Sequence, residues 1–273
     1  MGSRSGRHCG GYVYPSRPVR GDIMARAHFR DTLRAEFTKA LSLRSIQATI
    51  AAALVVPGLL ALASGFAFDP DRRAQFPLES QGFETAGFGQ PLVILLAALI
   101  VGTEYLDGQL RTTLIATPNR GRVLSAKVFI IAVLSAGIGL ISISLSVLMK
   151  HAALGEYGMT FNEVSAGMIW NLVGVAVNYM LIALIAASIT LLARTFIVTL
   201  AVLIPMVLGV TVSLVSLIPL LKFLPDLAGI QLLMEYPGLD VLDPLPGAAV
   251  MTIWTFALCG TAWFRFRSRD TLS

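Results

Sequence analysis

Six stretches of this chain are long and apolar enough to cross a lipid bilayer, and no other feature limits its fold so tightly. They fall at about 45–66, 85–104, 123–149, 164–193, 196–218 and 247–264, near or above the roughly 18–20 residues a helix needs to traverse a hydrocarbon core. Within lipid, backbone N–H and C=O groups must be satisfied by a helix or by a closed barrel. Strand-type alternation is absent from these stretches, which leaves helices. Only 14% of the 273 residues are charged, against about a quarter in an ordinary soluble domain. The chain therefore reads as one all-α integral membrane domain over residues 24–273, preceded by a tail over residues 1–23.

The charges orient the spans. With both termini in the cytosol, 17 of the 21 basic residues lie in inside segments, while 10 of the 16 acidic residues lie outside. Cationic loops resist translocation, so an N-in, C-in topology follows. The outside basic residues are Arg72, Arg73, Lys150 and Lys222. The tail before Met24 is rich in Gly, Arg, Ser and Pro and has no apolar run of signal-peptide type. It is expected to be disordered, and the patterned sequence starts just after Met24.

From Ala25 to Arg44 the pattern is helical. Phe29, Leu33, Phe37, Ala40 and Leu41 form an apolar stripe, with Arg26, Arg30 and Arg34 on another face. A basic amphipathic helix leading into a span is expected to lie in the membrane plane. It serves either as a simple anchor or as an elbow that also touches a cytosolic partner, and periodicity alone leaves both readings open.

Between the second and third spans runs a polar insert, Glu104 to Arg122. Leu106, Leu110 and Leu114 repeat every four residues, and Asp107 and Arg111 form an i, i+4 pair. Gly108 costs roughly 1 kcal/mol of helix propensity against Ala, which makes sense if another backbone comes close. Pro118-Asn119-Arg120-Gly121 is a turn that ends this helix and sends the chain back toward the bilayer. Glu104, a carboxylate at the edge of hydrocarbon, is expected to need a partner, with Arg34, Arg44 or Arg111 as candidates.

Asn171 and Asn178, seven residues apart, share nearly one helix face. They serve either as hydrogen-bonding glue between helices or as lining of a translocation path or dimer seam. Pro57 and Pro205 are expected to kink their spans. The stretch from Pro219 to Pro246 is too polar to cross and too apolar for a simple loop, with a short helix expected over 224–234. Cys9 and Cys259 are too far apart in topology to pair, and the three histidines show no metal-ligand spacing.

Two segments resemble the permease subunits of type-2 ABC transporters. One is Leu33-Arg-Ala-Glu-Phe-Thr-Lys-Ala-Leu-Ser-Leu-Arg44. The other is Glu104-Tyr-x-x-Gly108-x-x-Arg111-Thr-Thr-Leu, followed by Pro118-x-Arg120-Gly-Arg-Val-Leu-x-Ala-Lys127. The resemblance covers about residues 24–267. It implies an elbow helix, a cytosolic coupling helix at the insert and a re-entrant outer segment before the last span. It further implies a second permease subunit, identical or paralogous, and a separate ABC ATPase subunit. That subunit would be contacted through Glu104, Tyr105, Leu106, Asp107, Gly108, Leu110, Arg111 and Leu114, and through Arg34, Glu36 and Lys39 of the elbow.

No Gly-x-x-x-x-Gly-Lys-Ser/Thr motif occurs, so this chain has no P-loop with which to cradle nucleotide phosphates. ATP and Mg are expected on the partner, with no cofactor or metal on this chain and no nucleic-acid partner. No hydrolase signature is present, and enzymatic activity is not expected. Apart from Lys127 at the interface, and Glu104 and Arg194 at span edges, the spans carry no Asp, Glu, Lys or Arg. That counts against a proton-coupled carrier. The expectation is an exporter permease in a bacterial cell membrane, moving a drug, peptide, lipid or similar cargo. An ATP-independent carrier and a non-transporting scaffold or sensor subunit are the alternatives.

Overall fold

The computed structural model describes residues 29–68, 77–106, 120–159, 163–234, 236, 238 and 240–268, without the side chains of residues 104, 106, 120 and 266–268. The described residues are helical and contain no strand. The order is α1 (Phe29–Ser42), α2 (Arg44–Phe66), α3 (Ala86–Leu106), α4 (Arg120–Leu154), α5 (Ala166–Ala193), α6 (Phe196–Pro205), α7 (Thr211–Val215), α8 (Pro225–Ala228) and α9 (Pro244–Ser268). Six helices are long and apolar enough to span a membrane, with α6, its continuation and α7 together forming the fifth. The protein is thus a multi-pass membrane protein. The tail before residue 24 lies outside the described residues.

Alternating spans define two faces. The near face carries α1, the start of α4 and the end of α9; the far face carries the end of α2, the entry to α3 and the described residues between Ser216 and Asp243. The most deeply buried span is α5, with α3 next, whereas α6 and α9 lie at the periphery. Around α5 pack α4, α3 and α9, while α2 packs against α4 and α3.

Local chemistry sets the boundaries. Two 3₁₀ turns at Leu78–Ser80 and Phe83–Thr85 lead into α3 at Ala86. The helix then runs through Pro91, as α2 runs through Pro57. The turn between α5 and α6 is as tight as its two residues require. Arg194 adopts left-handed backbone (φ 57°) and donates its N–H to Thr190 O at 2.8 Å, while Thr195 caps α6 by accepting from Ile197 N. The fifth span does break after Pro205. Met206–Val210 widens into a π-turn with Gly209 at φ 111°, and Ser213 Oγ donates to the Gly209 carbonyl at 2.8 Å. Such π-bulges are common at places where a helix must yield.

The far-face segment was expected to hold one short helix over 224–234. Instead α8 is a single turn, followed by a 3₁₀ turn at Ile230–Leu232, with the break at Gly229. The reason is contact. The Gly229 carbonyl accepts from Asn178 Nδ2 at 2.8 Å, and a Cβ at Gly229 would stand 2.0 Å from Met251 Sδ and 2.6 Å from Asn178 Nδ2. Asn178 lies twelve residues into α5, roughly 18 Å along its axis. The segment therefore dips back among the spans, and Leu227, Ala228, Leu232 and Leu233 are buried there. Asn178 also accepts from Gln90 Nε2 at 2.8 Å, so one amide ties α3, α5 and the re-entrant turn together.

Below this amide, Tyr179 is fully buried and its hydroxyl donates to Ala86 O at 2.7 Å. Gly89 supplies the necessary gap, because a Cβ there would meet the Tyr179 hydroxyl at 1.9 Å.

Asn178→Leu should leave the Gln90 amide and the Gly229 carbonyl buried without partners, at a cost of about 1–3 kcal/mol. The measurement is a clear drop in thermal unfolding temperature in detergent. An unchanged value would mean the re-entrant turn is held by apolar packing alone.

Candidate functional site

The near face is built on α1, whose faces do three different things. Thr32, Glu36 and Ala40, one turn apart, are buried against the rest of the protein. Phe29 and Phe37 from the expected apolar stripe point outward, 44% and 42% exposed. Asp31, Arg34, Ala35, Thr38, Lys39 and Ser42 line a shallow groove of about 520 Å³ along a third side.

Glu36 was expected to face a partner. The structure turns it inward: it is buried and forms an ion pair with Lys127 Nζ, which is itself only 5% exposed. The physical reason lies seven residues after the start of α4. Lys127 enters the protein at a depth where a lone ammonium is costly, and α1 passes within reach with a carboxylate on its inner face. α1 is therefore tied to the helix that leaves the polar insert. Breaking a buried pair by removing one member commonly costs ~3–5 kcal/mol.

The far end of α4 repeats the device. Lys150 is 5% exposed. It pairs with Glu84 Oε1 at 2.8 Å and donates to Ser64 Oγ at 2.8 Å, joining α4 to the end of α2 and the entry to α3. Glu84 Oε2 in turn accepts from Gly82 N at 2.5 Å.

The far-face plug holds another buried ionisable group. Asp226 is 4% exposed on α8. Its Oδ2 lies in hydrogen-bond contact with Thr211 Oγ1, which also approaches the Met206 carbonyl at 3.1 Å. Asp226 Oδ1 is buried without a partner. A hydroxyl has one proton to give. Thr211 Oγ1 has both Asp226 Oδ2 and the Met206 carbonyl as acceptors for it. Burial pushes the Asp226 carboxyl above its ordinary range, against the smaller lowering effect of the Thr211 hydroxyl.

Of the residues expected to contact an ATPase, Arg34 is exposed and Lys39 half-buried on the groove side of α1. Tyr105 is half-buried and packs against the core near the end of α3. Glu104 and Leu106 belong to the last turn of α3, their side chains outside the described residues. Asp107, Gly108, Leu110, Arg111 and Leu114 also lie outside the described residues. Asn171 and Asn178 part company. Asn178 is fully buried with its amide consumed inside the chain, whereas half-buried Asn171 lines a far-face cavity of about 310 Å³ with Glu79, Trp170 and Gln231. Sequence reasoning missed Lys127, Lys150 and Asp226 as paired groups. The available signal was that an ionisable residue near hydrocarbon calls for a partner, an argument applied only to Glu104.

Among the described residues no cluster of His, Cys, Asp or Glu could hold a metal ion. The family model described as "ABC-2 family transporter protein" matches residues 32–215, more than half of the chain, from the inner face of α1 to the end of α7. No curated protein matches the chain.

Two outcomes follow from these pairs. Glu36→Gln and Lys127→Met should each lose about 3–5 kcal/mol, and the double variant should recover most of it; thermal unfolding of all four proteins closes the cycle, and simple additivity would refute the coupling. For Asp226 the folded-state pKa is raised, so the neutral form favours the fold. Its stabilising contribution is complete below the ordinary carboxylate value and is lost as pH rises through the raised one. Unfolding temperature should fall over that rise, and Asp226→Asn should remove the slope.

Proposed function

As the chain belongs to the ABC-2 family of transporter proteins, we propose that it is the permease of an ATP-driven exporter whose nucleotide hydrolysis takes place on a separate subunit. Membership of that family makes it an ABC transporter permease. Such permeases are membrane transport components that work with an ATP-binding subunit. In this proposal the chain sits in a bacterial cell membrane with both termini cytosolic, a placement supported by the distribution of Lys and Arg. It pairs with a second permease copy or paralogue, and ATP with Mg resides on the partner.

The observation that carries the reading is the buried Glu36–Lys127 pair. A docking subunit that pushes on the insert from Glu104 to Arg122 would displace the start of α4. The pair makes α1 follow, so the insert and the groove side of α1, with Arg34 and Lys39, act as one handle. ATP-driven closure of the partner would then rock the two permeases between inward- and outward-open forms. The apolar, weakly hydrogen-bonding spans suit an amphipathic drug, peptide or lipid as cargo.

The test is co-purification. A tagged chain isolated from its own cells should bring down a P-loop ATPase, and Gly108→Arg or Leu110→Glu should reduce its yield by at least about tenfold, the effect of losing an interface hot spot. Transport energised by a proton or sodium gradient in vesicles lacking any ATPase would replace this reading with that of a secondary carrier.

A further inference from the structure

A groove of about 920 Å³ runs between α1 and α4, lined by Phe29, Leu33 and Phe37 on one side and Phe129, Ile130, Val133 and Leu134 on the other, with Arg30, Arg34 and Asp31 at its rim. Its volume is at the upper end of ligand-sized cavities, roughly 300–1,000 Å³. Ile130 is its buried floor. Phe129 and Val133 are walls, 52% and 54% exposed, that no other part of the described chain covers.

Position and charge decide what could fill it. Phe129 to Leu134 lie two to seven residues beyond Lys127, about 3–10 Å further along α4. Lys127 is already neutralised by Glu36, so the groove's deep end offers no polar group and lies at hydrocarbon depth. Its shallow end is different. Arg30 and Arg34 are exposed one turn apart, and together they outweigh the single carboxylate of Asp31, which is itself already engaged within the chain. A soluble anion would leave the apolar walls unsatisfied, and a neutral hydrocarbon would leave the guanidiniums without a partner. A molecule with an anionic head and apolar tails matches both ends, because guanidinium groups bind phosphate oxygens well.

We propose that the groove between α1 and α4 is a binding site for one anionic phospholipid, its phosphate on Arg30 and Arg34 and an acyl chain along Phe37, Phe129 and Val133. The proposal requires only that the chain sits in a bilayer, so it stands or falls apart from ATPase docking. The lipid would occupy the side of α1 that adjoins the shallow groove, with Asp31 and Arg34 on the ridge between the two, and would complete the packing of α1 on α4.

The test uses the full-length chain, with any subunits that accompany it, reconstituted in nanodiscs containing equal amounts of phosphatidylglycerol and phosphatidylcholine. Lipid that stays bound after extraction is counted by native mass spectrometry. Phosphatidylglycerol should be enriched roughly fivefold, the effect of about one net positive charge near a membrane surface. Arg30→Gln/Arg34→Gln should bring the two lipids to parity. Val133→Trp, a change at an exposed position, fills the groove and should abolish retention of both lipids with the charges intact. Equal retention by the unaltered protein, or none, would overturn the proposal. So would selectivity that survives the double variant, or full retention in Val133→Trp, which would place the headgroup on the surface with no groove involved.

Discussion

Two buried lysines hold α4, and the rest of the bundle is registered on them. Lys127 and Lys150 are 23 residues apart, about 35 Å along a helix, slightly more than the ~30 Å of a hydrocarbon core. Each therefore sits close to an interface, where an ammonium can be kept if a carboxylate meets it. Glu36 does so from α1 on the near face and Glu84 from the entry to α3 on the far face. Ion pairs of this kind contribute less to net stability than to register, because the gain in attraction is offset by desolvation. A helix of uniform apolar surface slides against its neighbours at little cost. One with a charged pair at each end does not.

The centre is fixed differently, by neutral hydrogen bonds. Asn178 joins α3, α5 and the re-entrant turn through a single amide, and Tyr179 anchors α5 to the first turn of α3. In lipid, interhelical hydrogen bonds contribute only ~0.6 kcal/mol on average, since the separated helices also find partners. Asn178 should exceed that average because two separate elements depend on it. The plug at Gly229 has no helical backbone of useful length to satisfy itself, and a non-helical segment at membrane depth persists only where protein groups receive its carbonyls.

How much of this was legible in the sequence depended on the scale of the signal. The six spans, the two-residue turn at Arg194-Thr195 and the yielding of the fifth span after Pro205 are written in length, hydropathy and proline chemistry, all local quantities. Partnership is not local. Glu36 lies one turn before Ala40, at the edge of the apolar stripe of α1, and a carboxylate there shows no partner until α4 is seen to cross it with Lys127. Asn171 and Asn178 occupy one stripe of α5, but the re-entrant turn covers only the deeper of the two with a hydrogen bond. The stripe was real, and the neighbour that divides it comes from fifty residues further along the chain. The helix expected within the insert, Leu106 to Leu114, lies outside the described residues from Asp107 onward.

α4 and the fifth span respond differently to force. α4 runs unbroken from Arg120 to Leu154, with no proline, π-turn or positive-φ residue along it. A displacement applied at its near end by the adjoining insert must reach its far end, where Lys150 passes it to α2 and α3. The fifth span has no such continuity. At Met206–Val210 its hydrogen-bond ladder is already widened, and the Met206 carbonyl there is met by the Thr211 hydroxyl, whose other contact is Asp226 on the plug. A rigid rod tied at both ends, beside a helix with a joint linked to the far-face plug, gives motion a place to be absorbed. The sequence elements responsible are few: two lysines that forbid slippage, and one proline with one glycine that permit bending.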